Sequence, residues 1–405
     1  MSHPLFANRL SKIAPSPTVA ITAKANQMKA DGIDVIPLAA GEPDFDTPHH
    51  IIEAAKRAMD AGKTRYGAPA GEPALKKAIV SKFKRENGLD YAQNQICVAV
   101  GGKHIIFDAF LATLEESDEV IVPAPYWVSY PDIAMLMGAK PVIVDCDQQQ
   151  GFKLTPDQLD AEITPKTKWL VLNSPSNPTG ACYDKAELKA LADILLSPKN
   201  AHVQILTDDI YEHIIYDDFQ FFTLPQIEPR LKERCLVLNG FSKAYCMTGW
   251  RLGYAAGSEK LIKAMAMLNS QSITSPTTFV QHAAIEALEG PQDFIQTHNQ
   301  EFKKRRDFVV AAINAIDGLD CMMPQGAFYV YPSCHGMIGK VTPTGKKIEN
   351  DTDFVTYLLE AEGLAAVQGK AFGLEPYFRI SYATSMEILH EAMMRLARAC
   401  SALNG

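Results

Sequence analysis

Short apolar runs alternate with amphipathic stretches through the middle of the chain. Strands are predicted at residues 119–122, 169–172, 203–206 and 236–238. Each run is apolar nearly throughout, which is typical of a parallel sheet that is covered by helices on both faces. Helices are predicted between the strands, for example at 105–114 and 186–196. This alternation continues from about residue 48 to residue 290 and predicts an α/β arrangement.

The pattern changes after Gly290. A charged stretch at 294–316 predicts a connecting helix. Short strands are predicted at 327–331 and 378–382. Thr384 and Glu387 have the spacing of a capping box and therefore predict the start of the last helix.

Two domains are predicted. The large domain, residues 47–291, is an α/β domain with a mostly parallel sheet flanked by helices. The small domain is an α+β domain that combines residues 1–46 with residues 292–405. The chain length of 405 residues agrees with this division, because domains usually contain about 100–200 residues.

The composition excludes some classes of partner. The chain has 47 Asp and Glu residues against 39 Lys and Arg residues, a net charge of −8. Nucleic-acid binders usually carry a basic surplus, so we predict no nucleic-acid partner. No apolar stretch approaches the ~18 residues that a membrane helix needs, so we predict no membrane partner. The first residues lack the apolar core of a secretory signal, so export is not expected.

The cysteines and histidines show no metal-binding pattern. The 8 cysteines form no CxxC pair, and the 10 histidines form no HExxH motif. Scattered cysteines are typical of reduced thiols in a cytoplasmic protein rather than of disulfides or a zinc site. We therefore predict a cytoplasmic location and no metal.

Polar residues follow the predicted strands of the large domain. Ligands of parallel α/β sheets bind at the carboxyl ends of the strands, so these residues are expected to form one site. They include Gly102, Lys103, Trp127, Asn177, Asp208, Tyr211, Ser242, Lys243 and Arg251.

Three of these residues suit a phosphate group. Gly102 stands at a predicted helix start, where free backbone N–H groups and the helix dipole favour an anion. Arg251 offers a planar fork of donors, and Ser242 offers a hydroxyl. Each residue alone is also compatible with a structural turn or a surface position. The chain lacks GxGxxG and GxxxxGK[ST], so the dinucleotide and triphosphate fingerprints are absent.

Lys243 follows the strand predicted at 236–238. Burial at a strand end, together with the charge of Arg251, is expected to lower the pKa of its amine. A neutral amine attacks carbonyl groups and forms imines. Taken alone, Lys243 is better explained as a lysine that extends its amine to solvent, and Asp208 is also compatible with a carboxylate that caps a turn.

Several motifs together resemble the class I pyridoxal-phosphate aminotransferases. The motifs are LAAGEPDF at 38–45, NSPSNPTG at 173–180, DDIY at 208–211, NGFSKAYCMTGWR at 239–251, GAFY at 326–329 and RISY at 379–382. GGK at 101–103 and PYWVSYP at 125–131 resemble the bacterial aspartate aminotransferase branch of this family. The resemblance covers nearly the whole chain and implies a fold type I pyridoxal-phosphate (PLP) transferase.

The resemblance implies roles around the cofactor ring. Lys243 would bind PLP through an imine and then move a proton between the substrate Cα and the cofactor. Asp208 would pair with the pyridine nitrogen, so that the ring withdraws electrons. Tyr211 and Asn177 would hydrogen-bond to the phenolic oxygen of the ring, and Trp127 would stack on the ring face.

The resemblance also implies how the phosphate is held and how the protein assembles. The phosphate would contact Gly102 and Lys103 through their amides, together with Ser242 and Arg251. Tyr66 matches a tyrosine that reaches the phosphate from the neighbouring subunit. The implied assembly is a homodimer with shared active sites.

The substrates implied are amino acids and keto acids with two carboxylates. Arg379 would bind the α-carboxylate, with Gly41 closing over it and Asn177 beside it. No arginine occurs between Arg251 and Arg305, where some relatives place the residue for the second carboxylate. Lys103, together with the indole N–H of Trp127, is expected to replace it.

The predicted function is amino-group exchange between L-aspartate and 2-oxoglutarate, giving oxaloacetate and L-glutamate by a ping-pong mechanism. Two alternatives keep the same fold: action mainly on prephenate or aromatic amino acids, and a β-elimination C–S lyase. A non-catalytic regulator is disfavoured because the chain has no room for an added DNA-binding domain before Ala39. The sequence does not rank aspartate against prephenate or aromatic substrates.

Overall fold

The computed structural model describes residues 5–15 and 17–404, with side chains described from residue 20 onwards in the first helix. The strands are β1 (Ile36–Pro37), β2 (Ile96–Ala99), β3 (Glu119–Ala124), β4 (Lys140–Asp145), β5 (Thr167–Asn173), β6 (Gln204–Asp208), β7 (Cys235–Gly240), β8 (Gly253–Ala256), β9 (Tyr329–Val330), β10 (Leu364–Ala365), β11 (Val367–Gln368) and β12 (Phe378–Ser381).

The helices are α1 (Pro17–Ala30), α2 (His49–Asp60), α3 (Pro73–Asn87), α4 (Gly102–Thr113), α5 (Ser129–Leu136), α6 (Pro156–Glu162), α7 (Lys185–Leu195), α8 (Leu224–Ile227), α9 (Glu259–Ser272), α10 (Thr278–Glu289), α11 (Asp293–Asn314), α12 (Asp351–Glu362) and α13 (Met386–Ser401). Short 3-10 segments lie between several of these elements.

A seven-stranded sheet with the order β2-β8-β7-β6-β5-β3-β4 forms the centre of the fold. The pairs from β7 to β4 are parallel, and β8 runs antiparallel to β7 and β2. The predicted mostly parallel sheet is therefore confirmed. The register places Asn173 opposite Asp208, and Asp208 opposite Leu238, so the carboxyl ends of β5, β6 and β7 lie side by side.

Helices cover both faces of this sheet. Ile205 of β6 packs into a core with α2, α3, α6, α7 and α10, whereas the next residue, Leu206, packs into a core with α4, α5 and α9. Both side chains are fully buried. This burial explains why the strands read as continuous apolar runs in the sequence.

A smaller part of the fold is built from the C-terminal elements. β9, β11 and β12 form an antiparallel sheet, and β1 pairs with β10 in parallel. Helices α11, α12 and α13 pack together through a separate apolar core. The backbone N–H of Ser381 donates to the carbonyl of Leu38, which attaches the segment after β1 to this part.

The last helix is capped one residue later than predicted. α13 is capped by Ser385, whose hydroxyl accepts from the N–H of Ile388 at 3.3 Å, and not by Thr384. Ser385 has the extended backbone that a cap requires, so the predicted capping box at Thr384 is wrong by one residue.

The domain boundaries at 46/47 and 291/292 remain a prediction, and residues 1–4, 16 and 405 lie outside the described residues.

The core of the smaller part gives a test of packing. Leu396 of α13 is fully buried, so Leu396→Ala is expected to lower the free energy of unfolding by about 2–5 kcal/mol. Met394 on the same helix is 53% exposed, and Met394→Ala is expected to change that free energy by less than about 0.5 kcal/mol. Urea denaturation measures both. Equal losses in the two variants would contradict this placement of α13.

Candidate active site

A cavity of about 610 Å³ opens at the carboxyl ends of β5, β6 and β7. The structure brings almost all of the predicted site residues to its wall. These are Gly41, Gly102, Lys103, Trp127, Asn177, Asp208, Tyr211, Ser242, Lys243, Arg251 and Arg379. Residues that are distant in sequence therefore meet at one edge of the sheet, as the strand order requires.

Lys243 lies just beyond the end of β7, and its ammonium donates a hydrogen bond to the carbonyl of Gly41. Burial and, to a smaller extent, the positive charges of Arg379 and Arg251 lower the pKa of this amine to about 8, although the carboxylates of Glu42 and Asp208 oppose the shift. The sequence suggested Arg251 as the neighbouring charge, but Arg379 has the larger effect. A substantial fraction of the amine is therefore neutral and nucleophilic near pH 8.

Asp208 is the last residue of β6 and is buried. The hydroxyl of Tyr130 donates to its Oδ2 at 2.6 Å, and the N–H of Ile210 donates to its Oδ1 at 3.3 Å. Burial raises the pKa of the Asp208 carboxyl to about 6, although these hydrogen bonds and the charge of Lys243 oppose the shift. The carboxylate is fixed in position and suits a cationic N–H partner.

Tyr211 extends the same segment into the cavity. Its hydroxyl and that of Tyr329 are 2.9 Å apart, and both side chains are buried. Burial raises the pKa of the Tyr211 phenol well above its usual value. Tyr211 is therefore a neutral hydroxyl that can donate a hydrogen bond to an anionic oxygen.

Gly102 begins α4, so the first N–H groups of this helix are available to an anion. The turn before it is tightly packed: Gly101 has φ +97°, and a Cβ there would lie 2.6 Å from Nη2 of Arg251. A Cβ on Gly253 would lie 2.6 Å from the amide nitrogen of Gly102. Glycine is thus required where the backbone and Arg251 together form a cradle of N–H donors, which Ser242 also lines.

Arg379, on β12, is a buried guanidinium that is only partly satisfied. Its Nη1 donates to Oδ1 of Asn177 at 2.8 Å, and its Nη2 donates to the carbonyl of Ala39 at 2.7 Å. Its Nε is buried and has no partner among the described residues. Arg379 lines the cavity, and a buried guanidinium that is only partly satisfied suits a carboxylate ligand.

Lys103 places a further cation in the cavity. Its Nζ lies 5.0 Å from the ring centroid of Trp127, within the range of a cation–π contact. Burial lowers the pKa of the Lys103 amine, Arg251 lowers it further, and Asp132 opposes the shift. The cavity thus contains two separate cationic groups, Lys103 and Arg379, in addition to Arg251, which lies beside the turn before Gly102.

Comparisons with known proteins agree with this geometry. The family model described as "Aminotransferase class I and II" matches residues 33–396. The chain belongs to this aminotransferase family. An aspartate/prephenate aminotransferase of Cereibacter sphaeroides is 54% identical to it over 98% of this chain and 99% of its own length. An aspartate aminotransferase of Rhizobium meliloti is also 54% identical, over 98% of this chain and 97% of its own length.

Solved structures show the same fold. The crystal structure of the aspartate aminotransferase from Rhizobium meliloti matches with a TM-score of 0.96 at 53% identity, over 99% of this chain and all of that one. The Thermus thermophilus aspartate aminotransferase with maleate matches with a TM-score of 0.91 at 41% identity, over 98% of this chain and all of that one. The predicted fold class and the enzyme class, an aminotransferase, are confirmed.

Tyr66 is the predicted site residue that the aminotransferase chain does not bring to the cavity. Its side chain is 88% exposed. The loop around it is held in place, because the N–H of Gly67 donates to Ser275 at 3.2 Å and Thr278 donates to the carbonyl of Arg65 at 2.6 Å. Its predicted role across a subunit interface remains a prediction.

The cavity also contains residues that the sequence analysis did not single out. Tyr130 and Tyr329 lie within the quoted motifs PYWVSYP and GAFY, so the signal was present but no role was assigned to them. Thr22, Ala23 and Asn26 of α1 also line the cavity. They lie in no motif, and no local pattern marks them.

Within the described residues, no helix of the aminotransferase has both the length and the apolar character needed to cross a membrane.

The lowered pKa of Lys243 is directly testable in the cofactor-free aminotransferase. Reductive methylation requires a neutral amine, so modification of Lys243 is expected to rise with pH and reach half its maximum near pH 8. An unperturbed lysine reaches it near ~10.4. Peptide mass spectrometry measures the rate at position 243. Arg379→Met removes a repelling charge and is expected to move the midpoint upward. A wild-type midpoint above pH 10 would contradict this description of the cavity.

Proposed function

We propose that this aminotransferase uses pyridoxal 5′-phosphate to exchange the amino group between L-aspartate and 2-oxoglutarate, giving oxaloacetate and L-glutamate. One observation carries the proposal. A single cavity joins a buried amine of lowered pKa, a buried carboxyl group and cationic groups for three separate anions. The cofactor phosphate and the two substrate carboxylates account for these three anions.

The residues at the sheet edge fit this cofactor. When bound, PLP supplies an aldehyde and a ring that stabilises negative charge at the substrate Cα. Lys243 would hold the cofactor at that aldehyde through its Nζ and would move the proton at the substrate Cα. Asp208 would accept a hydrogen bond from the ring nitrogen. Tyr211 and Asn177 would hydrogen-bond to the ring oxygen, and Trp127 would cover the ring face.

The phosphate is assigned to the cradle before α4. The amides of Gly102 and Lys103, the hydroxyl of Ser242 and the guanidinium of Arg251 are its proposed donors. The tight approach of Gly101 to Arg251 supports this assignment, because it leaves the donors close together without an intervening side chain.

The substrate carboxylates are assigned to Arg379 and Lys103. Arg379 has a free Nε and is held by Asn177, so it is oriented before a ligand arrives. Gly41 lies over the same part of the cavity, beside the Lys243 ammonium. The Thermus thermophilus relative was solved with maleate, a four-carbon dicarboxylate. Because amino acid and keto acid use the same cationic groups, they must bind in turn, which gives ping-pong kinetics.

Prephenate is a second candidate substrate. The Cereibacter sphaeroides relative is named an aspartate/prephenate aminotransferase. Lys103 is a flexible point charge rather than a fork, so it accepts a carboxylate at more than one position. A cavity of about 610 Å³ also has room for a ring. Among the described residues that line the cavity, no contact favours the β-elimination reaction.

We propose a cytoplasmic homodimer with shared sites. Tyr66 is exposed in the single chain although the family resemblance implies a phosphate contact for it, which a second subunit would explain. The structure describes each of the eight cysteines as a free thiol, in keeping with a reducing compartment.

The assignment of Lys103 predicts a change in substrate preference. Lys103→Ala keeps the backbone amide that the phosphate requires but removes the cation for the second carboxylate. The expected result is a loss of about 10–100-fold in kcat/KM for aspartate, the size of a charged hydrogen bond. Stopped-flow half-reactions with aspartate and with alanine measure it, alanine being the control without a second carboxylate. Equal losses for both amino acids would remove Lys103 from this role.

The shared site predicts complementation between two defective chains. Lys243→Ala lacks the amine, and Tyr66→Ala is expected to bind the cofactor weakly. A mixed dimer contains one site in which both residues are native, so mixing the two variants is expected to restore tight PLP binding and aspartate turnover. Each variant alone is the control, and sedimentation velocity checks that mixed dimers form. If mixed dimers form without restored binding, Tyr66 does not act across the interface.

A further inference from the structure

A buried polar cluster lies directly behind the cavity, outside its lining. At its centre is Glu212, the residue after Tyr211, whose side chain is 4% exposed. Its Oε1 accepts from Nδ2 of Asn239 at 2.6 Å and from the ammonium of Lys82. Its Oε2 accepts from Nδ2 of Asn87 at 3.1 Å. Both carboxylate oxygens therefore have donors.

The cluster keeps Glu212 ionised. Burial alone would raise the pKa of its carboxyl, but the charges of Lys82 and His213 reverse the shift, and the net pKa is lowered. Lys82 is fully buried and also lies 3.5 Å from Glu86. Glu86, Glu212 and His213 have metal-ligand spacing. The Lys82 ammonium already supplies the cation at this place, so the cluster is not a metal site.

The hydrogen bond between Glu212 and Asn239 joins two segments of the cavity wall. Asp208 ends β6, and Tyr211 and Glu212 follow in the next segment, while Asn239 lies on β7, four residues before Lys243. The β6–β7 pairing ends at Asp208 and Leu238, and one further backbone bond runs from the N–H of Asp209 to Leu238. Beyond Asp209, the hydrogen bond between the side chains of Glu212 and Asn239 joins the two segments.

The side chain of Asn239 links Glu212 to the backbone of β7. Its Oδ1 accepts from the N–H of Gly240 at 2.7 Å while its Nδ2 is held by Glu212. Lys82 and Asn87 come from α3, so the carboxylate also fixes both segments to a helix of the surrounding core. Buried ion pairs contribute little net stability, but they can specify one geometry.

We propose that Glu212 is a positioning residue, which holds Asp208 and Tyr211 in register with Lys243 through Asn239. The proposal rests on the proposed cofactor function, because these three groups are the ones assigned to the PLP ring. Arg379 and Lys103, which are assigned to the substrate carboxylates, lie on β12 and α4 and have no hydrogen bond to Glu212. Loss of the hydrogen bond between Glu212 and Asn239 is therefore expected to weaken PLP binding and to lower kcat, with less effect on KM for the substrate.

The test compares three variants of the full-length protein. Glu212→Gln removes the charge with little change of shape, and Asn239→Ala breaks the connection but keeps the Glu212–Lys82 ion pair. Glu86→Gln is the matched control, because Glu86 also contacts Lys82 but has no bond to Asn239. Equilibrium dialysis measures the dissociation constant of PLP, steady-state kinetics measures kcat and KM for aspartate, and circular dichroism measures folding and the melting temperature.

Glu212→Gln and Asn239→Ala are expected to weaken PLP binding and to lower kcat, each about tenfold, with KM for aspartate changed less than kcat. Glu86→Gln is expected to match the wild type in both quantities. Should Glu212→Gln fail to fold, Asn239→Ala decides the question. Wild-type affinity and kcat in the folded variants, even at a lower melting temperature, would overturn the proposal. Failure of the wild type to bind PLP would instead overturn the proposed function.

Discussion

The site depends on the burial of positive charge. Lys243, Arg251, Arg379 and Lys103 line one cavity in a protein whose net charge is −8, and Asp208 is the buried carboxylate among them. Burial lowers the pKa values of Lys243 and Lys103, and repulsion within this cluster lowers them further. Anionic ligands relieve this repulsion. The binding of a ligand that carries a phosphate or carboxylates is therefore favoured, because its negative charge offsets the repulsion among these cations.

The two parts of the fold divide the task of recognition. The turn before α4 and the end of β7 belong to the central sheet and hold the groups assigned to the cofactor. Arg379 lies on β12, in the smaller sheet, and the backbone bond between Ser381 and Leu38 joins that sheet to the segment leading to Gly41. The group assigned to the substrate α-carboxylate thus lies on an element outside the central sheet, whereas Lys103, which is assigned to the second carboxylate, shares the start of α4 with the cofactor cradle.

Much of this arrangement was predictable because parallel sheets obey strong rules. The four strands predicted in the large domain exist within a few residues of their predicted bounds, since strands buried on both faces leave a continuous apolar signal. Their order then decides which loops meet, and the motifs identified the chemistry. The resemblance to a known family, rather than periodicity, supplied the roles of Asp208 and Arg379.

Other features had no local signal. Tyr130 binds Asp208 across 78 positions of sequence, and α1 contributes Thr22 and Asn26 only through tertiary packing. The cap at Ser385 differed from the predicted one because Thr384 and Ser385 are both good capping residues, and only the backbone conformation selects between them. Glu212 directly follows the motif DDIY, and nothing in the local sequence indicates its buried partners Lys82 and Asn239.

Lys103 holds two assignments that use different atoms. Its backbone N–H at the start of α4 is assigned to the cofactor cradle, while its side chain, which lies beside Trp127, is assigned to the substrate. Any amino acid except proline provides the first contribution, whereas the second depends entirely on what the side chain is. An evolving lineage can therefore exchange this residue and acquire new substrates while its chemistry stays intact, which makes the first turn of α4 a natural point of divergence.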